Sequence, residues 1–469
     1  MTTTLESLKS IVSGIDAAQG TPQVLVNHFI TLNNLAMEDK NQPLIRQSGA
    51  IEAIIKTLKN NAENNNILEK GIGALGNISV DDTNALEIGK LGGITVVIQT
   101  MKDHQVYLTL QEKCCAAIWN LSFQDENKVL IAKEGGIRVL LNLLRYHKDK
   151  PQILAKGFGA MLTLALHDSI SSIVAKEGGV VLIINLMKQH QSNLDIQEKG
   201  LSALFNLAAN DVNGILIGRG GGIDLVVSLI ENNMDKQQLL NRCIGLISNL
   251  SVNNENSKLI GSKGGLVAVL SVMQKYSNNT QILQRCLSAL HNLAMLEQNR
   301  LTIGQNDGVL VILQVMKANP LEPSIQERVL GVLLTLALDA ENQVSIAQNG
   351  GIELLIQAMK NFPSNFRVLE RVVSVISNLS FDETARRLVG EKGAIQSVIE
   401  LLKSNTHQET FVDKACGCLM NMSCDNDNRQ IISRLDGVQI LSNILKLYPS
   451  NPNIQKRASG AISNLGSMF

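Results

Sequence analysis

Residues 124–166 read QDENKVLIAKEGGIRVLLNLLRYHKDKPQILAKGFGAMLTLAL, and this stretch carries the pattern of three consecutive helices. Gln124, Asp125, Glu126 and Asn127 offer side-chain oxygens to the free N–H groups of a helix start. Gly135-Gly136 ends that short helix, because glycine accepts the left-handed conformation that turns the chain. Ile137, Leu140, Leu141, Leu143 and Leu144 fall at helical spacing in a second helix. A polar turn from Tyr146 to Pro151 then leads into a third helix, predicted from about Gln152 to Leu166. One such unit cannot bury its own apolar stripe, so copies of it must stack.

The copies are present. Asn34, Asn77 and Asn120 are 43 residues apart, as are Asn206, Asn249 and Asn292, and then Asn378, Asn421 and Asn464. Thr163 and Thr335 hold the two missing places in this series, both within Thr-Leu-Ala-Leu. A second marker keeps the same period: Gly49, Gly92, Gly135, Gly178, Gly221, Gly264, Gly350 and Gly393, with Asp307 and Asp436 in the two remaining places, each followed by Gly. Two independent markers on one grid predict about eleven three-helix units of 43 residues. The reading divides the chain into a capping helix within residues 1–20 and one continuous solenoid over 21–469. The interruptions at Thr163 and Thr335, four periods apart, suggest either duplication of a four-repeat block or three segments of three Asn each.

Composition agrees with stacked helices. In 469 residues the hydrophobic share is 45% while aromatics are only 3%, so aliphatic side chains make the core. A single core of that size is not expected, because cores stop growing near about 250–300 residues. Lys+Arg and Asp+Glu are equal at 42 each, so no global field draws the chain to nucleic acid or an anionic membrane. No apolar stretch approaches the roughly 20 residues of a membrane span, and the N-terminus lacks the features of a signal peptide. Seven Cys residues, mostly at core-type positions and without paired or zinc-like spacing, favour free buried thiols in a reducing compartment. The expected location is the cytoplasm, with the nucleus also open.

The period, the Gly-Gly or Gly-Ala break before the second helix, and the third helix ending in Asn-Leu-Ala or Asn-Leu-Ser resemble the armadillo repeat. The resemblance covers about residue 20 to 469 and implies an all-α, right-handed superhelical solenoid. It also implies that the third helices line a concave groove with the recurring Asn side chains facing into it. An amide carries both a donor and an acceptor, so a row of them suits the backbone of an extended peptide. The alternative is that the Asn residues tie down a neighbouring repeat.

Residues four and seven before each Asn share its helix face. In the nuclear-import carriers of this family the fourth position is repeatedly Trp; here it is Gly73, Ala116, Gly159, Ser202, Gly245, Ser288, Gly331, Ser374, Gly417 and Gly460. The import-carrier pattern is therefore absent. In ten of the eleven repeats the seventh position is basic: Lys70, Lys113, Lys156, Lys199, Arg242, Arg285, Arg328, Arg371, Lys414 and Arg457. A cation row over a floor of small residues suits extended acidic segments of partner proteins, as in catenin-like scaffolds. The competing reading is a ladder of structural ion pairs, since Glu69, Glu112, Glu198, Glu327, Glu370 and Asp413 directly precede cations. Neighbours on one helix diverge by about 100°, so those acids are poorly placed to neutralise the cations within their own helix, and the alternative needs a partner from a neighbouring repeat. Trp119 and Phe205, with Leu162 between them on the grid, stand just before the Asn position, as binding anchors or as packing between repeats.

Nothing else rises to a catalytic or cofactor site. Gly pairs are not followed by the Lys-Ser/Thr of a phosphate cradle, and the His residues are dispersed, mostly in turns. Cys416, Cys418 and Cys424 cluster without a suitably spaced His. The expected function is a non-catalytic scaffold or adaptor binding acidic partner segments, without cofactor, metal, nucleic acid or membrane insertion. The alternative is a small-GTPase regulator or chaperone on the same solenoid. A monomer or weak dimer is expected, the latter through the exposed last helix ending at Phe469.

Overall fold

Where the Gly breaks and aliphatic spacing fall in the sequence, the chain forms helices, although the expected cap at Gln124 makes no bond to its own helix start and its amide donates to Asp82 instead. The computed structural model describes residues 3–466, and among them every element is helical and no strand occurs. The representative repeat consists of helices Asp125–Lys133, Gly136–Tyr146 and Pro151–Leu164. The third begins one residue earlier than its apolar pattern suggested, because Pro151 occupies the first helical turn, where its missing N–H costs nothing. The break before each second helix is left-handed: Gly135 has φ 75°, and Asp307 and Asp436, the two non-glycine substitutes, have φ 56° and 59°. A short polar side chain tolerates this conformation better than other non-glycine residues.

Packing divides the chain into two compact units, residues 1–225 and 226–469. In the first, the third helices Pro22–Leu35, Asn65–Ile78, Leu108–Leu121, Pro151–Leu164 and Leu194–Leu207 pack each against the next. Leu5–Ala17 lies ahead of them, capped by Thr4, which accepts from Ser7 N while Ser7 Oγ reciprocates. Its Leu8 and Ile15 are fully buried and it packs against Ala50–Asn60. In the second unit, Gln237–Leu250, Thr280–Ala294, Pro323–Leu336, Phe366–Leu379, Glu409–Met422 and Pro452–Gly466 form the same series. Phe469, at which a dimer contact was expected, lies outside the described residues.

Two polar ladders lock successive repeats together. In the turns, His104 Nε2 lies 2.8 Å from Ala62 O, His147 Nε2 2.6 Å from Gln105 O and His190 Nε2 2.7 Å from Lys148 O. Tyr276 and Tyr448 donate to Met234 O (2.9 Å) and Thr406 O (2.7 Å) in the second unit. Within the core, first-helix amides reach back 42 residues: Asn127 donates to Ala85 O (2.9 Å), Asn213 to Ser171 O (3.2 Å), Asn299 to Ser257 O (3.1 Å) and Asn428 to Arg386 O (3.1 Å). These amides are at most 3% exposed, so each bond replaces water that cannot enter. This Asn row also follows the 43-residue grid, but the more visible Asn-Leu-Ala motif drew the sequence reading away from it.

Candidate protein-binding face

The third helices present the predicted Asn positions half-buried, apart from Asn34, which is exposed. Their amide N–H groups are largely spent on the preceding repeat. Asn77 donates to Asn33 Oδ1 (3.1 Å), Asn120 to Gly76 O (2.8 Å) and Asn206 to Leu162 O (2.8 Å). In the second unit Asn292 donates to Ser251 Oγ (3.1 Å), Asn378 to Leu334 O (3.2 Å), Asn421 to Ser377 Oγ (3.0 Å) and Asn464 to Met420 O (3.2 Å). Asn249 is half-buried on Gln237–Leu250. The ladder thus fastens repeats together through its donors, while the Oδ1 atoms of Asn77, Asn120, Asn378 and Asn421 accept nothing from another described residue. Thr163, at an interruption, is 3% exposed; it donates to Ala160 O (3.0 Å) and meets the Ser122 hydroxyl, so it serves the interior.

The cation row is not uniform. Lys70 pairs with Glu69 at 2.6 Å, although adjacent helix positions were expected to diverge too far; the long lysine stem lets the ammonium fold back where the backbone direction alone does not. Partial burial pushes the Glu69 carboxyl up, but hydrogen bonds from Lys70 and Thr109 and the charges of Lys70 and Lys113 outweigh it and hold it below the usual carboxylate range. Lys199 pairs with Asp195 one turn away at 2.8 Å. Arg457 reaches the preceding repeat, to Asp413 Oδ2 at 2.5 Å, whereas Arg285 donates to Asn241 O (2.8 Å) and Arg328 to Ser288 Oγ (2.6 Å). Arg242 also has a partner. Lys113, Lys156, Arg371 and Lys414 make no ion pair with a described residue.

The small residues are not an open floor. A Cβ added at Gly331 would sit 2.6 Å from Arg371 Nη1, at Gly417 3.2 Å from Arg457 Cδ, and at Gly73 3.6 Å from Lys113 Cδ. Each small position therefore seats the cation stem of the next repeat, forty residues on. At Gly159 the space is taken from the other side, since an added Cβ would lie 2.5 Å from the Trp119 ring. Over the same ring stand Lys156 Nζ at 5.8 Å and Lys199 Nζ at 5.0 Å from its centroid, within cation–π range. The Trp119 Nε1 atom is buried without a hydrogen-bond partner. Phe205, its counterpart two repeats on, is half-buried.

Two depressions lie along this face of the second unit. One, of about 380 Å³, is lined by Ser288, His291, Asn292, Arg328, Gly331 and Arg371 among others. The next, of about 270 Å³, is lined by Asn378, Phe381, Lys414, Gly417, Asn421 and Arg457 among others. Elsewhere the chemistry is quiet. Six cysteines are buried and Cys424 alone is exposed. Burial, with the Glu112 charge, pushes the Cys115 thiol up to about 12, and burial pushes Cys418 to about 12. Among the described residues no group of three His, Cys, Asp or Glu side chains is placed to hold a metal ion.

Comparison with known proteins gives the same architecture. Residues 8–369 match the family model described as the GAC ARM domain, and residues 425–467 match the armadillo/β-catenin-like repeat. The fold is similar to a crystal structure of an engineered protein from the Northeast Structural Genomics Consortium, at TM-score 0.75 and 20% identity, covering 89% of this chain and 98% of that one. It is also similar to a chain from the work on a phosphorylation switch controlling the interaction between cadherin and β-catenin, at TM-score 0.73 and 16% identity, covering 98% and 96%. No curated protein sequence matches. With a family model spanning most of its length, a second at its C-terminal end and the stacked three-helix repeats between, the chain belongs to the armadillo-repeat family.

Proposed function

We propose that this armadillo solenoid is a non-catalytic scaffold whose third-helix face holds extended acidic segments of partner proteins. The observation that carries this reading is the set of cations that make no ion pair with a described residue. Lys113 is exposed in the first unit; Arg371 and Lys414 line the two depressions of the second. Beside Lys414, the carbonyl oxygens of Asn378 and Asn421 remain available to a peptide N–H. A carboxylate laid there meets cations not paired with a described residue, and backbone amides meet acceptors. In the first unit, Trp119 between Lys156 and Lys199 adds an aromatic surface of the kind that anchors interfaces. The six buried thiols fit a reducing compartment such as the cytoplasm.

The test reverses Lys113, Lys156 and Lys199 to Glu together and compares proteins captured from native lysate with those captured by wild type. Loss of captured partners with unchanged far-ultraviolet circular dichroism supports the reading. An unchanged set of partners overturns it.

A further inference from the structure

A further row of side chains lies in the turn that leaves each third helix, beside the Asn and cation rows; in the second unit its Phe381 shares a depression with Asn378 and Lys414. Three residues past the Asn position the first unit exposes Met37 (69%), Val80 (63%), Phe123 (58%) and Leu166 (63%), with Ala209 next on the grid. The second unit repeats the feature in Val252, Met295, Leu338 and Phe381, exposed by 61 to 72%. Large apolar side chains this exposed are ordinary when scattered, but here they recur at one position of successive repeats.

In the first unit the row is bordered by acid. The helices that begin just beyond it carry exposed Asp39, Asp82, Glu126, Asp168 and Asp211. Of the nearby cations, Lys40 pairs with Glu38, Arg46 is bound to Asp81 and Asn84, and Lys128, 5% exposed, is held by Asp125. Asp39, Glu126, Asp168 and Asp211 make no ion pair with a described residue. Between the last two lies a depression of about 550 Å³ lined by Asp168, Ser169, Ser172, Ala209, Asn210, Asp211 and Val212, the last 64% exposed.

We infer that this apolar and acidic ledge of residues 37–212 docks a cationic amphipathic helix of a partner protein. Charge selects the occupant. A second copy of this ledge brings the same acids and is repelled, and an anionic membrane is repelled likewise. Lys or Arg beside apolar residues satisfies both borders. Spacing selects the conformation: packed third helices repeat at about 8–10 Å, and seven residues of helix rise about 10.5 Å. A helix with one apolar stripe and basic flanks therefore offers one side chain to each of Val80, Phe123 and Leu166 in turn.

The test is fluorescence anisotropy of a labelled synthetic helix bearing heptad-spaced Leu flanked by Lys, titrated with the full chain. The wild-type protein binds it. Phe123→Ser with Leu166→Ser weakens binding at least tenfold, and so does Asp168→Lys with Asp211→Lys, a change at exposed positions that leaves the apolar row intact. Lys113→Glu with Lys156→Glu, on the third-helix face, leaves binding unchanged, so failure of the acidic-segment reading and failure of this one are distinguishable. No binding by wild type, equal binding by the ledge variants, or equal binding of a helix with Lys replaced by Glu overturns the inference.

Discussion

Replacing Lys199 with methionine removes one ammonium from the face of Trp119 while keeping an apolar stem of similar reach. Two interactions are lost. The cation stands 5.0 Å from the ring centroid, worth about 0.5–1 kcal/mol at a partly solvated site. The Lys199–Asp195 pair spans one helical turn with Asp195 59% exposed, so its contribution is only about 0.3–0.5 kcal/mol. The variant is thus expected to lose about 1 kcal/mol. A double-mutant cycle with Trp119→Leu separates the two, because only the ring contact is shared by both positions. Urea unfolding of all four proteins, followed by circular dichroism because the cycle removes the only Trp, should give a coupling of about 0.5–1 kcal/mol. The same cycle with Lys156, at 5.8 Å, should give less. A Lys199–Trp119 coupling indistinguishable from zero, or smaller than that for Lys156, refutes the reasoning.

Three further outcomes follow from the same geometry. Asn127→Ala removes the inter-repeat bond to Ala85 O, which keeps the N–H of its own helix, and should cost about 0.5–1.5 kcal/mol in urea unfolding while leaving capture of acidic partners intact; loss of capture at equal stability contradicts a purely structural role. Iodoacetamide at pH 8 should label Cys424 alone in the folded chain and all seven cysteines in urea, read by intact mass, because burial pushes the other thiols up and hides them; several adducts on the folded chain argue against the packing. Glu69, held below its ordinary value, contributes stability that is present above the unfolded carboxylate value of about 4.3 and is lost as pH falls through the lower folded value. Glu69→Gln should therefore flatten the acid limb of stability against pH, and an unchanged limb counts against the Lys70 and Thr109 contacts.

Much of the architecture was legible because a repeat protein states its fold many times over. The Asn and Gly markers fixed the frame, and Asp307 and Asp436 proved to be substitutes at the same left-handed position that glycine holds elsewhere. What the sequence hid is relational. That Gly331 and Gly417 seat the cations of the following repeat depends on contacts forty residues apart. The Lys70–Glu69 pair depends on side-chain flexibility that a helical wheel ignores. The exposed row from Met37 to Leu166 went unread, since an apolar residue just past a helix end carries no mark of which way it points. Alternatives left open for the third-helix Asn resolve in part by atom: donors serve the neighbouring repeat while several carbonyls stay available.

The most direct measurement of the proposed function is photo-crosslinking of a benzophenone-bearing polyglutamate peptide to the full chain, with adducts located by mass spectrometry. The account predicts adducts on the third helices, near Lys113 and Trp119 in the first unit and near Arg371 and Lys414 in the second, suppressed by charge reversal at those cations. Adducts confined to the first and second helices of the repeats, or labelling that survives charge reversal, would contradict it.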